Sequence, residues 1–334
     1  MKTTYKSVVL FIGILCSTVG LSALTLTPEN TVLIFDLDDV VIQKTFLHKL
    51  NIVFGGIKKD TFNAISYLNA LWNIKKEYKK DADGIKESLC DTNGNAINGL
   101  TFHFLYHAVR NPQLADYVAW LVETMENSRC FIDGTKKILD YLKAKNYEIV
   151  FATNKDRISY DMTAKAFGAD FTDIPTKIFV AHPGNDESTI TQIKDFANEP
   201  TTPSSYKEFA KKTLTVCPTN IIFHAPSKKP ELAYYHYVAQ VVNVDKNMIF
   251  VDDKKTNSEG FNTLQESTDR LRQGIHFKDP LQLANELVQC NILSETTDSM
   301  FLDEIRYPGI IGKIRLYIKK LKSNREHTIP ASSL

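Results

Sequence analysis

The chain has 334 residues, 43% of them hydrophobic and 24% charged, with a formal net charge of +1. That composition is ordinary for a globular protein, and the length admits one large domain or a domain carrying an insertion. A near-neutral molecule has no overall field that would draw nucleic acid, so no nucleic-acid partner is expected, and no internal repeat argues for a solenoid.

The first 23 residues stand apart. Lys2 and Lys6 precede an apolar run from Val8 to Leu15, and small and polar residues follow to Leu21-Ser22-Ala23. This is the layout of a secretory signal peptide cut after Ala23, which would make the protein exported, periplasmic or secreted. The alternative is an uncleaved membrane anchor, since residues 8–26 carry no charge and are long enough to reach across a bilayer. Cleavage removes two lysines and no acid, which turns the net charge of +1 into −1. Four cysteines remain beyond that point: Cys90, Cys130, Cys217 and Cys290. They lack the close paired spacing of a zinc site, and sequence alone cannot choose between pairings and separate thiols.

Residues 31–35 are a compact β-branched and aromatic run, read as a buried strand, followed at once by Asp36-Leu37-Asp38-Asp39-Val40. Helical periodicity then takes over. Phe62, Ile65, Leu68, Leu71 and Trp72 mark a helix over 61–78, and further helices are expected over 100–109 and 114–125. Residues 44–129 therefore read as a helical domain inserted after the first strand. A helix over 136–145 leads to a second strand at 147–152, which ends on Thr153 and Asn154. A third strand is expected at 177–181. Residues 183–219, rich in Thr, Pro, Ser and Asp, read as a surface insertion with a short helix near 207–212. A strand at 220–224 precedes Lys228-Lys229-Pro230, then a helix over 231–242 and a last strand at 247–251, which ends on Asp252 and Asp253. Strands alternating with helices predict an α/β fold: a Rossmann-like parallel sheet with helices on both faces, built from 24–43 and 130–300. In the tail, residues 301–334, Ile311, Ile314, Ile318 and Leu321 form an apolar stripe beside Lys313, Arg315, Lys319, Lys320, Lys322 and Arg325. Such a helix can pack on its own domain or contact an anionic membrane surface or a partner.

In open parallel sheets, ligands bind beyond the carboxyl ends of the strands. There the chain offers Asp36 and Asp38, Thr153 and Asn154, Lys229 or its neighbour Lys228, and Asp252 and Asp253. A carboxylate can attack phosphorus and form an aspartyl-phosphate. Asp36 and Asp38 lie two apart, so one can act as nucleophile while the other handles a proton. Two anions meeting a phosphate need a hard cation with oxygen ligands, a role that suits magnesium, with Asp253 or Asp252 as the remote ligand. Lys229 would offset negative charge, and the Thr153 hydroxyl would donate to the phosphoryl group.

The set resembles the four motifs of the haloacid dehalogenase superfamily, in order and spacing, over roughly residues 31–260. Asp36-Leu37-Asp38-Asp39-Val40 matches the first, Phe151-Ala152-Thr153-Asn154 the second, Lys229-Pro230 the third and Val251-Asp252-Asp253 the fourth. Phe131-Ile132-Asp133-Gly134 echoes the family's approach to the second motif, and Asn257 falls where many members carry a polar residue. The resemblance implies that Asp36 is the nucleophile and a metal ligand. Asp38 would be general acid, then general base, and would bind magnesium through its backbone carbonyl. Asp253 would be the remaining ligand, Asp252 and Asn257 its support, and Thr153, Asn154 and Lys229 the phosphate-binding set. An acid at Asp38 favours phosphate-ester hydrolysis over dehalogenation, and residues 44–129 would be the helical cap over the substrate. The expectation is a magnesium-dependent phosphatase acting on a phosphorylated small molecule or a phosphoprotein. The alternatives are a phosphotransferase, or a binding protein on the same scaffold attached by its basic tail.

Other features read blandly. His103 and His107 are four apart but lack the glutamate of a zinc protease. His224 ends a strand, and Asp91-Thr92-Asn93-Gly94 lacks the acid spacing of a calcium loop.

Overall fold

In a computed structural model, the structure describes residues 26–45, 69, 72–73, 100–155, 157–181, 187–214, 221–267 and 270–307. Its strands are β1 (Thr31–Phe35), β2 (Ile42–Lys44), β3 (Arg129–Phe131), β4 (Glu148–Ala152), β5 (Lys177–Ala181), β6 (Ile222–Ala225), β7 (Asn247–Asp252) and β8 (Arg272–His276). Its helices are α1 (Leu100–Arg110), α2 (Ala115–Asn127), α3 (Asp133–Ala144), α4 (Arg157–Phe167), α5 (Ala169–Thr172), α6 (Glu187–Asn198), α7 (Ser204–Leu214), α8 (Leu232–Val242), α9 (Lys255–Asn262), α10 (Pro280–Gln289) and α11 (Ser299–Arg306). Six strands form one parallel sheet in the order β6-β5-β4-β1-β7-β8. The fold is therefore the α/β, Rossmann-like arrangement expected.

The central strands are apolar on both faces because both faces are covered. Leu33, Phe35, Ile149, Phe151, Ile249 and Val251 point into one core, shared with Leu139 and Leu142 of α3 and Leu283 and Leu287 of α10. The alternate residues, Val32, Ile34, Val150, Ala152, Met248 and Phe250, meet Tyr234, Tyr235 and Val238 of α8 on the other side. The edge strand β8 has no such apolar run. It is held close by Gly274, where an added Cβ would lie 2.0 Å from the Ser258 carbonyl oxygen, so α9 rests directly on this strand. Gly134, in the first turn of α3, likewise admits the Pro280 ring of α10, which a Cβ would meet at 2.5 Å.

The first insertion leaves and re-enters the core at one place. Strands β2 and β3 pair antiparallel, Ile42 with Phe131 and Lys44 with Arg129, so residues 44–129 depart and return through a two-stranded ribbon. The second insertion differs from its expectation. Instead of a surface excursion with a short helix near 207–212, it contributes α6 and α7, of twelve and eleven residues. Ile193, Phe196, Tyr206 and Phe209 from these helices share a separate core with Phe104, Leu105, Tyr117 and Val118 from α1 and α2. The Tyr206 hydroxyl donates to the Leu105 carbonyl at 3.0 Å. The two insertions thus build one helical unit, which packs against α4.

The N-terminal segment, the helix expected over 61–78 apart from three isolated residues, Cys90, the Asp91 turn, Cys217 and most of the basic tail lie outside the described residues. Among the described residues no helix is long and apolar enough to cross a membrane, and Cys130 and Cys290 are free thiols.

Candidate active site

Strand register assembles the site. Phe35 stands opposite Phe151 and Val251, so Asp36, Ala152 and Asp252 follow at one level of the sheet. The Asp36 amide extends the ladder by donating to the Val251 carbonyl at 2.9 Å. The strand then stops in a single turn, in which the amides of Val41 and Ile42 both donate to the Leu37 carbonyl at 3.0 Å, with Asp39 at a φ of 61°. Asp36 stays buried before this turn, while Asp38 lies within it, its side chain 42% exposed.

Lys229 closes the level from the next loop. Its side chain is 1% exposed, and its ammonium reaches Asp36 Oδ1 at 2.8 Å, Asp252 Oδ2 at 2.7 Å and the Ala152 carbonyl at 2.9 Å. Three protons meet three acceptors, which identifies Lys229 rather than Lys228 as the buried lysine of the site. Asp252 is fully buried. Its second oxygen accepts from the Lys254 amide at 2.9 Å and Asn257 Nδ2 at 3.0 Å, so Asp252 orients the lysine and Asn257 orients Asp252. Asn154, expected in the phosphate-binding set, is tied to the lysine loop: its Nδ2 donates to the Lys229 carbonyl at 3.1 Å and its Oδ1 accepts from the Lys229 amide at 2.9 Å.

Burial raises the Asp36 carboxyl, to about 7. Lys229 pulls the other way, and the nearby Asp252 and Asp38 charges add to the rise. Lys229 keeps its proton more firmly than a free lysine, because the Asp36 and Asp252 charges outweigh the cost of burying it. Carboxylate oxygens of Asp36, Asp252 and Asp253 lie within 4.8 Å of one another, the only such group of three or more His, Cys, Asp or Glu among the described residues. His103 and His107 both lie on α1, and the His103 side chain is outside the described residues. In that group both oxygens of Asp252 already accept from protein donors. Asp253 Oδ1 is buried with no hydrogen-bond partner, and burial together with Asp252 raises its carboxyl. A buried, unpartnered carboxylate oxygen beside a second carboxylate fits a hard divalent cation, with Asp36 and Asp253 as side-chain ligands. Asp38 brings no carboxylate to this group.

The Asp38 carboxylate is held instead by two cations. Arg129, at the start of β3, bonds Oδ1, and Lys155 Nζ stands 3.3 Å from Oδ2. Burial opposes its charge, yet Lys155 and Arg129 together hold the carboxyl down at about 2. Neither cation was expected from the sequence. Lys155 follows directly on Thr153-Asn154, which was a usable clue; Arg129 becomes visible only through the ribbon register. Thr153 is 2% exposed, and its Oγ1 accepts from the Lys155 amide at 3.1 Å, which leaves its hydroxyl proton available to donate. His224 lies exposed on β6.

No protein-family profile matches the chain, and no curated protein matches its sequence. The arrangement of its own residues therefore carries the functional argument.

Proposed function

We propose that this protein is a magnesium-dependent phosphatase of the haloacid dehalogenase type, hydrolysing phosphate monoesters through an aspartyl-phosphate on Asp36. The observation that carries the reading is the single level formed by Asp36, Lys229 and Asp252, with Asp253 Oδ1 unpartnered beside it and Asp38 two residues away. That geometry gives each carboxylate a separate task. Asp36 attacks phosphorus, forming an O–P bond as the ester O–P bond breaks; Asp38, which Arg129 and Lys155 hold ionised in the free protein, takes a proton from solvent when bound substrate draws those cations away, and delivers it to the leaving oxygen. Asp38 then takes a proton from water as the water attacks phosphorus. The Asp36–P bond breaks, inorganic phosphate leaves, and Asp36 is regenerated. Throughout, Lys229 offsets the charge on Asp36, and Thr153 donates to a phosphoryl oxygen. Magnesium, when bound by Asp36, Asp253 and the Asp38 carbonyl, supplies positive charge that lets the anionic nucleophile approach an anionic phosphate.

Turnover of p-nitrophenyl phosphate tests the reading. The protein is expected to hydrolyse it with magnesium and not with a chelator, and Asp36→Asn is expected to lower kcat by more than roughly a thousandfold. Absent turnover by the unaltered protein, or equal turnover by Asp36→Asn, would overturn it.

A further inference from the structure

Asp253, whose Oδ1 is buried without a hydrogen-bond partner, sits in a short connection. With Lys254 it joins β7 to α9. The two peptide groups that flank it are nevertheless both held. The one before it belongs to the end of β7, where the Asp252 carbonyl accepts from the Phe277 amide at 2.8 Å. The one after it, between Asp253 and Lys254, is gripped at both edges. Its N–H donates to Asp252 Oδ1 at 2.9 Å, and its carbonyl lies 3.0 Å from His276 Nε2. A carbonyl only accepts, so Nε2 carries the hydrogen and donates it. His276 comes from β8, where it stands opposite Asp252 in the register, and it is half-buried.

We infer that His276 is a positioning residue for the cation site: by gripping the Asp253 carbonyl, it aims the Asp253 carboxylate at the place it shares with Asp36. This rests on the reading of Asp36 and Asp253 as cation ligands in the phosphatase site. Each peptide unit is a rigid plane, so the soft backbone angles at Asp253 are its φ and ψ alone. Planes held on both sides fix both angles, and the direction in which Cβ leaves the chain follows from them. No protein donor steers Oδ1 itself, so the backbone does the aiming. His276 stands outside the group of carboxylates and its Nε2 is occupied by the carbonyl, so it acts through Asp253 rather than on the ion. Loss of its donor frees one edge of the second plane. Ordering the carboxylate then falls to the cation, which binds more weakly for it.

Isothermal titration of the full chain with magnesium chloride, in the absence of substrate, provides the test. His276→Phe keeps a flat ring and loses the donor, and it is expected to raise the dissociation constant for magnesium roughly tenfold. His276→Gln carries an N–H to a reach similar to that of Nε2 and is expected to recover most of the affinity. A histidine that served only the strand edge would change the urea midpoint in chelator and leave the dissociation constant where it was. Unchanged affinity in His276→Phe, or an equal loss in the Phe and Gln variants, would overturn the inference while leaving the cation site intact. Absence of magnesium binding by the unaltered protein would overturn both. If His276→Phe does not fold, His276→Gln is compared with His276→Asn, whose shorter amide stops short of the carbonyl. Weaker binding by the Asn variant is the expected result, and equal affinities would overturn the inference.

Discussion

Asp36 is held at a cost to the fold that the site requires. Its carboxyl is buried, raised to about 7 by that burial, and beside a second buried carboxylate that already shares its lysine. In the unfolded chain the same group titrates near its ordinary value of 3.8. The folded state therefore holds the extra proton between those values, and stability falls as pH rises from about 4 to about 7. Asp36→Asn removes the charge and leaves Lys229 paired one-to-one with Asp252. In chelator at pH 8 we expect this variant to be more stable than the unaltered protein, on the order of 2 kcal/mol, with a flatter pH profile over that window. Urea denaturation of both proteins at pH 5 and pH 8 measures it; a midpoint for Asp36→Asn below that of the unaltered protein at pH 8 would contradict the account. The Asp36–Asp38 pair was legible in the sequence because strand ends in a parallel sheet collect functional groups, and the same argument located Thr153, Lys229 and Asp253. The task of Asn154 was not legible. An amide next to Thr153 gives no hint that both its polar atoms bind the backbone of a residue 75 positions away. Arg129 was hidden for the same reason, since a cation's partner is set by approach in space.

At the level of elements, the site depends on one helix lying flat on an edge strand. Gly274 lets the Ser258 carbonyl approach so closely that any side chain there must push α9 away. Asn257 sits on that helix and holds Asp252, which in turn holds Lys229. Gly274→Ala is therefore expected to destabilise the protein by about 1–3 kcal/mol and to lower turnover although the residue touches no substrate. Denaturation midpoints and kcat on p-nitrophenyl phosphate check the two effects together. The strand itself escaped the sequence because Arg272-Gln273-Gly274-Ile275-His276 has neither an apolar run nor a clean alternation, while β1, β4 and β7 announced themselves by being apolar on both faces. Helix α6 escaped, and α7 reads only as a short helix near 207–212, for a different reason. Their buried residues are few and spaced among polar ones, and they are buried only because α1 and α2 arrive from the other insertion. Phe196 is 5% exposed in that shared core, so Phe196→Ala is expected to cost about 3–5 kcal/mol. Hydrogen exchange should show the loss concentrated in α1, α2, α6 and α7; uniform loss across the sheet would mean the helical unit has no cooperativity of its own.

Across the whole molecule, the carboxylates gathered at one point are carried by its most central strands. Asp36 follows β1, and Asp252 ends β7 with Asp253 beside it; both strands are buried along their full length. Their mutual repulsion is offset in part by the Lys229 ammonium, shared by Asp36 and Asp252, and by Lys254 near Asp253, and the Asp253 carboxyl is still raised. A cation bound only by the folded chain would relieve that repulsion and stabilise the fold by mass action, by about 2.7 kcal/mol when its concentration is a hundredfold above its dissociation constant. Magnesium is expected to raise the melting temperature in a concentration-dependent way, with or without substrate. Asp253→Asn should behave in the opposite sense on two counts. Without metal it removes the charge of a half-buried carboxylate whose Oδ1 is buried and unpartnered, and melts higher than the unaltered chain; with magnesium it gains much less. Thermal scans of both proteins across a magnesium titration separate these effects. If magnesium stabilised the two chains equally, the cation would be acting elsewhere on the surface. If Asp253→Asn melted lower in chelator, its carboxylate would have a protein partner that accounts for its burial without a metal.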